Sequence, residues 1–534
     1  SVRGDDGSVR TPPGFKDAYL QFCENGWNGL TKGTEFGGQG LPVLLGTAVE
    51  EMWHAANLAF NLCAMLTQGA IESIELAGSP ELKQRFLPKM VAGTWSGTMN
   101  LTEPQAGSDL AAVRTKAIRQ ADGTYRIHGQ KIFITYGEQD YTENIVHLVL
   151  ARTPDAPEGV KGISLFVVPK VNVNPDGSLG ARNDVQCTSL EHKLGIHASP
   201  TAVLAYGDHG GATGYLVGEE NRGLEYMFIM MNLARFSVGL EGVGISERAY
   251  QRAVAYARER VQGRPAGGGA KGAPIIEHPD IRRMLMTMRA YVEAMRAVAY
   301  VVAGAHDHAH RHPDADVRKR HQAFVDFMIP IVKGWCTETA QKVASLGVQV
   351  HGGMGFIEET GAAQHYRDAR ITTIYEGTTG IQANDLIGRK TARDGGAAAQ
   401  WIAGEIDKVA AELAGHPDAN LNAIGAELKR AVVAVRKATE WVVPAYGANT
   451  RAAHAGAVPY LELWGIVAGG WQLGRAALVA ARHLKEGTGD ARFLSAKIHT
   501  ARFYADSMLP RAAALAHTVT EGGESALALA AEQF

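Results

Sequence analysis

The hydrophobic period of this 534-residue chain changes twice, and that limits the fold more than any single motif. From about residue 15 to 95 the chain reads as mostly helical, and AIESIELAG places Ile71, Ile74 and Glu75 at helical spacing. SPELKQRFLPKM predicts a helix with Ser79 as N-cap and Pro80 at its first position. From about 98 to 225 the runs shorten and fill with Ile, Val, Phe and Thr: YRIHGQKIFIT, IVHLVLART and ISLFVVPK. Ala-Asp-Gly and Pro-Asp-Gly turns bound them, which predicts β-strands in a small barrel or sandwich. From about 226 to 393 long helical periods return. A break at Asp394-Gly395-Gly396 precedes about four more amphipathic helices. One aligns Ile402, Ile406, Val409 and Leu413, another Ile424, Leu428, Val432 and Val435. This order is not βαβ, so a doubly wound nucleotide-binding sheet is not expected. The expectation is a multidomain α+β chain: an N-terminal helical domain (1–97), a middle β domain (98–225), a helical bundle (226–393) and an added C-terminal helical domain (394–534).

Composition is that of an ordinary globular protein, 46% hydrophobic and 20% charged. A net charge of −2 offers nucleic acid or a membrane surface no attraction. Cys23, Cys63, Cys187 and Cys336 are far apart and form no CxxC, which suits reduced thiols in a cytosolic protein. No apolar run approaches the roughly 20 residues a membrane span needs. The opening SVRGDDGSVRTPPGF is polar, lacks a signal peptide's apolar segment and reads as a loop, as if an N-terminal element were missing. GRPAGGGAKGAP (263–274) reads as a flexible joint between helices. GLEGVG (239–244) lies inside a helical period, where its glycines serve close helix packing rather than a nucleotide. There is no GxxxxGK[ST] loop and no GxSxG elbow. In AHDHAHRH, His306 and His310, like His308 and His312, are four apart and could chelate. No carboxylate-rich motif accompanies them, so an exposed helix end and no metal are expected.

TTIYEGTTGIQAND (372–385) carries one carboxylate in its first dozen residues, Glu376. It is either a capping acid before a helix or a base in a dry pocket. Ile374 and Tyr375 would cover it, and Gly377 would let a ligand approach the backbone closely.

LTEPQAGSD (101–109), GQKIFIT (129–135), RERVQGRP (258–265), HGGMGF (351–356) and IYEGTTGIQ (374–382) occur in one order. Together they resemble the acyl-CoA dehydrogenase family, over roughly residues 25–390. The resemblance implies FAD as cofactor and α,β-dehydrogenation of an acyl-CoA thioester, with Glu376 as the base. Some members carry that base just before an Arg on the first bundle helix; here Ala234 precedes Arg235, so that position is empty. Met99, Leu101, Thr102, Phe133 and Thr135 are implied at the flavin, with Phe133 where many relatives have Trp. Gly107 and Ser108 are implied near phosphate or pantetheine. Arg260 would pair with the FAD diphosphate of a neighbouring subunit; Gln349, Gly352 and Gly353 would meet its adenosine half. Thr378 is retained, whereas Gly380 stands where the pattern often has Gln. Ser108, Arg235, Tyr375 and Gly377 are implied on the substrate side.

The segment after 394 is similar to that of very-long-chain and related large members, which implies a homodimer rather than a tetramer. The overall texture, including GWNGLTKGTEFGGQGLP, implies 3-(methylthio)propionyl-CoA as substrate, with ordinary short- to long-chain acyl-CoA as the alternative. The implied electron acceptor is an electron-transferring flavoprotein; an oxidase using oxygen is a further alternative. A flavin-containing DNA-binding relative would carry a basic C-terminal domain, but residues 395–534 hold 13 Lys+Arg and 13 Asp+Glu.

Overall fold

Helix gives way to strand at Thr94, just after Gly93 takes φ +78°. The computed structural model describes residues 1–268 and 272–534. The glycine-rich joint expected at 263–274 thus lies partly outside the described residues, at 269–271.

The opening segment, expected to be a loop, forms a two-stranded ribbon, β1 (Val2–Arg3) and β2 (Val9–Arg10). Asp6 closes its turn by accepting from the Ser8 backbone and hydroxyl, and Val9 joins the β-domain core. Four helices follow: α1 (Phe15–Glu24), α2 (Val43–Ala56), α3 (Leu58–Ala77) and α4 (Pro80–Val91). Ser79 caps α4 by accepting from Leu82 N, and Pro80 is its first residue, as its sequence predicts.

The strands are β3 (Trp95–Asn100), β4 (Lys116–Arg119), β5 (Tyr125–Thr135), β6 (Asn144–Ala151), β7 (Ser164–Pro169), β8 (Val171–Val173), β9 (Leu179–Arg182), β10 (Val185–Leu190), β11 (Thr201–Tyr206) and β12 (Ala212–Leu216). The main sheet runs β10-β11-β5-β12-β7-β6-β3, with β4 on β5. Its β3–β6 pair is parallel and its other pairs antiparallel. The eleven-residue β5 serves β4 and β12 with its first half and β11 with its second, so the sheet folds over a core of Ile127, Val149, Phe166, Val168 and Leu204. All of β6 is buried, which is why it reads as a continuous apolar run rather than an alternating one. On β3, a Cβ at Gly97 would stand 2.4 Å from that of Ala70, so α3 lies directly on the sheet.

Beyond the strands run α5 (Gly223–Glu259), α6 (Pro279–Arg311), α7 (Ala315–His351), α8 (Ala362–Ala369) and α9 (Thr379–Ile387). Then come α10 (Ala397–Ala414), α11 (Ala419–Ala448), α12 (Thr450–Ala455), α13 (Ala457–Glu486), α14 (Ala491–Ser507) and α15 (Arg511–Ala526). Five long helices and a short one therefore stand where about four are expected. The extra breaks have local causes: Asn449 caps α12, Asp490 caps α14, and the chain turns at Met508–Pro510. Against the expectation from apolar runs, α5 is long and apolar enough to cross a membrane; 72% of its most apolar window is nevertheless buried, as in a core helix.

The chain forms two compact units. One comprises Ser1–Gly46 and Asn57–Ser237, the other Thr47–Ala56 and Val238–Phe534. In the second, the helices after Gly396 pack on the bundle through glycines. A Cβ at Gly334 would meet the Leu461 side chain, and one at Gly465 would stand 2.1 Å from Trp335 Cγ. Trp335 is 2% exposed. Gly465→Ala should therefore destabilise the protein by about 1–3 kcal/mol through overpacking. Gly404→Ala on α10, where an added Cβ meets nothing within 4 Å, should instead stabilise it by roughly 0.5–1 kcal/mol. Thermal unfolding midpoints of the two variants should move in opposite directions.

Candidate active site

Two adjoining motifs form one surface in the first unit. Lys131 pairs with Leu204 and Ile134 with Ala202, so Ile132 and Phe133 together face Val203 alone. This bulge turns Phe133 out of the alternation: its φ is +60° and its side chain is 59% exposed. The Ile132 N–H, released from the ladder, donates to Thr102 O at 2.9 Å. Lys131 Nζ donates to Leu101 O at 3.0 Å and to Glu103 Oε1 at 2.8 Å. The loop after β3 is thereby pinned to β5.

Glu103 organises this loop. Its carboxylate also accepts from Thr115 Oγ1 at 2.6 Å, Arg114 N at 2.8 Å and Gln105 Nε2 at 2.7 Å. Burial alone would raise its pKa; the Lys131 charge and these donors instead hold it down to about 2. Sequence reading missed both members of this buried pair. The available signal was a Lys inside an apolar strand and an acid before a Pro. Beneath Met99, Thr98 Oγ1 meets His147 Nδ1 at 2.7 Å and accepts from Asn100 Nδ2 at 2.8 Å. Burial pushes His147 down to about 3, so it is neutral.

Met99, Leu101, Thr102 and Thr135 are half-buried, while Gly107 and Ser108 are exposed. Phe133 and Met99 give this surface apolar area, and Thr102 and Thr135 give it hydroxyls. A planar ring with an apolar face and polar edges fits that donor set. Arg235, elsewhere in the unit, is 4% exposed, with its guanidinium 5.9 Å from the Phe228 ring centroid; Ala234 beside it is also buried.

In the second unit Glu376 sits at φ +55° and Gly377 at +86°. A left-handed non-glycine residue costs of order 1 kcal/mol and persists only where its surroundings impose it. Here Gln382, fully buried on α9, donates from Nε2 to Glu376 O at 3.0 Å and lies 3.4 Å from Gly377 O. A Cβ at Gly377 would stand 2.7 Å from Gln382 Nε2, so glycine is required twice over, by φ and by space. Tyr375 sends its hydroxyl to the fully buried carboxylate of Glu241 on α5. Gln382 and Glu241 were both missed from sequence, because nothing in a helical period marks which polar residue faces inward.

The expected apolar cover is not what holds Glu376. Ile374 is 47% exposed, because the 3₁₀ turn Arg370–Thr373 points it outward, and Glu376 itself is half-buried. Thr378 caps α9, accepting from Ile381 N at 3.3 Å, and Gly380 lies in the first turn of that helix. Arg260 is exposed just beyond α5 and accepts at its carbonyl from Ile275 N. Gln349, Gly352 and Gly353 are exposed at the end of α7, where Gly352 has φ +59°. The His306 and His310 rings stack at 4.2 Å and those of His308 and His321 at 4.8 Å. Among the described residues no group of three or more His, Cys, Asp or Glu is placed to hold a metal.

The order of domains along the chain has counterparts in known proteins. Family models match in chain order: the acyl-CoA dehydrogenase N-terminal domain at 8–94, the middle domain at 98–208 and the C-terminal domain at 221–391. An acetyl-CoA dehydrogenase C-terminal-like model matches 402–530. A 3-methylmercaptopropionyl-CoA dehydrogenase of Ruegeria pomeroyi is 53% identical over 527 residues, 98% of this chain and 89% of that protein. A broad-specificity linear acyl-CoA dehydrogenase of Mycobacterium tuberculosis is 38% identical over 519 residues, covering 94% and 84%. The crystal structure of an acyl-CoA dehydrogenase complexed with FAD from Bacillus anthracis matches with TM-score 0.77 and 23% identity, covering 96% and 83%. The chain belongs to the acyl-CoA dehydrogenase family.

Proposed function

We propose that this protein is an FAD-dependent dehydrogenase that converts 3-(methylthio)propionyl-CoA to 3-(methylthio)acryloyl-CoA in the bacterial cytoplasm. The observation that carries the substrate assignment is the 53% identity, over 98% of the chain, to a protein of that specificity. Its own residues supply the chemistry. Glu376 takes the α-proton at a carboxylate oxygen, and its backbone N–H donates to the thioester carbonyl, where enolate charge develops. The left-handed backbone at Glu376 supports this role, since such strain collects where geometry matters to function. The family resemblance assigns Tyr375 and Gly377, and separately Ser108 and Arg235, to the substrate.

FAD, when bound, supplies the acceptor for the β-hydride. Phe133, Met99 and Leu101 offer its ring apolar contact; Thr102 and Thr135 offer hydroxyls at the ring edge. Gly107, Ser108 and Thr378 would border the rest of the cofactor. Arg260, Gln349, Gly352 and Gly353 are assigned to the diphosphate and adenosine of the FAD in a partner subunit, so the working enzyme is a homodimer. The electron acceptor in this reading is an electron-transferring flavoprotein.

Two outcomes are expected. Glu376→Gln should retain the yellow flavin absorbance of the wild type and lose about 10²–10⁴-fold in kcat. Substantial remaining turnover would move the base elsewhere. In a panel read by flavin bleaching, 3-(methylthio)propionyl-CoA should show a higher kcat/KM than butyryl- or octanoyl-CoA. A preference for octanoyl-CoA would instead assign a general fatty acyl-CoA dehydrogenase, the reading favoured by 38% identity to a broad-specificity relative.

A further inference from the structure

Glu241 is a carboxyl residue with no exposed surface in the middle of α5, and the proposed reaction has no stated use for it. Close packing keeps it dry. A Cβ at Gly239 would meet Val332 Cγ1 at 2.6 Å, and one at Gly242 would meet Cys336 O at 2.9 Å, so α7 closes one side. A Cβ at Gly244 would lie 2.9 Å from His54 Cβ, so α2 closes another. The glycines of GLEGVG thus bring two helices against the acid between them. One carboxylate oxygen accepts the Tyr375 hydroxyl, while the other, Oε1, is buried with no hydrogen-bond partner.

We propose that Glu241 is a positioning residue for the base: through Tyr375 it anchors the turn that presents Glu376. This rests on Glu376 being the base. Tyr375 immediately precedes Glu376, so its anchor acts on the residue whose backbone is left-handed. Gln382 holds the same turn from its carbonyl side. The turn is therefore gripped from two directions by buried polar side chains.

The groups facing Glu241 come from three elements. His54, with Glu50 at 3.4 Å from its Nε2, lies on α2. Tyr375 and Glu376 lie on the turn. The packed face of α7 carries Cys336, whose thiol burial keeps protonated, and the buried Lys333. Burial raises Glu241 to about 7; His54 and the Tyr375 hydroxyl act against that rise, and Glu50 and Glu376 add to it. A carboxyl held this high is largely protonated where an ordinary carboxylate ionises, so what it gives Tyr375 is an acceptor oxygen in a fixed place rather than a charge.

The test is the split between kcat and KM for FAD-loaded enzyme with 3-(methylthio)propionyl-CoA or butyryl-CoA, whichever turns over. Glu241→Gln keeps the shape and an acceptor for Tyr375 and should hold kcat within about threefold of the wild type. Glu241→Leu removes the acceptor and should lower kcat about tenfold or more, with KM and flavin absorbance unchanged. A wild-type kcat in Glu241→Leu overturns the proposal, and so does an equal loss in Glu241→Gln and Glu241→Leu. Should Glu241→Leu not yield folded flavoprotein, Tyr375→Phe decides: it removes the donor, and an unchanged kcat overturns the proposal. Glu376→Gln separates the two readings. If it remains active, the base assignment itself fails; if it is inactive while Glu241→Leu turns over like the wild type, only the role of Glu241 fails.

Discussion

The turn at Tyr375–Glu376–Gly377 places a carboxylate at a left-handed backbone position, a conformation the chain does not adopt unaided. It survives because buried polar groups meet it from both sides. Gln382 takes up the carbonyls of Glu376 and Gly377, and Glu241 takes up the hydroxyl of Tyr375. Much of the second unit serves these two contacts. Thr378 starts α9 so that Gln382 falls on its inner face, and the glycines of α5 let α2 and α7 close around Glu241.

The first unit uses the same device with different chemistry. Phe133 is also left-handed, also partly exposed, and also held by a buried polar group nearby, the Lys131–Glu103 pair. A buried ion pair of this kind adds little net stability compared with a well-packed apolar pair, but breaking it leaves an uncompensated charge. Here it has further work: Lys131 also binds Leu101 O, so one ammonium joins the strand that carries Phe133 to the loop that carries Thr102. In both units a left-handed residue of the candidate site lies next to buried polar side chains that fix the adjoining backbone.

Much of the architecture could be read along the chain. The change of period at about residues 98 and 226, the Ser79–Pro80 helix start and the break at Gly395-Gly396 depend on local propensity, and the structure has each of them. The close-packing role of the α5 glycines was legible because glycines at 239, 242 and 244 in a helix have few other uses. Local signals misled where burial decided. The polar N-terminus became a ribbon because Val9 reaches the β-core, and Ile374 faces outward although its neighbours suggested cover.

By itself, then, the sequence determined the order of helical and strand zones, the Ser79 cap, the family motifs and Glu376 as the only acid within its motif. These follow from residue chemistry and spacing over a few turns of chain. Tertiary structure alone decided that Glu103 meets Lys131, that Glu241 meets Tyr375, and that Gln382 meets the carbonyl of the residue it supports. The first two partners are 28 and 134 residues apart. No period or motif links positions so distant; they are brought together by the exclusion of water from the space between packed helices and strands, where each buried polar group must find another.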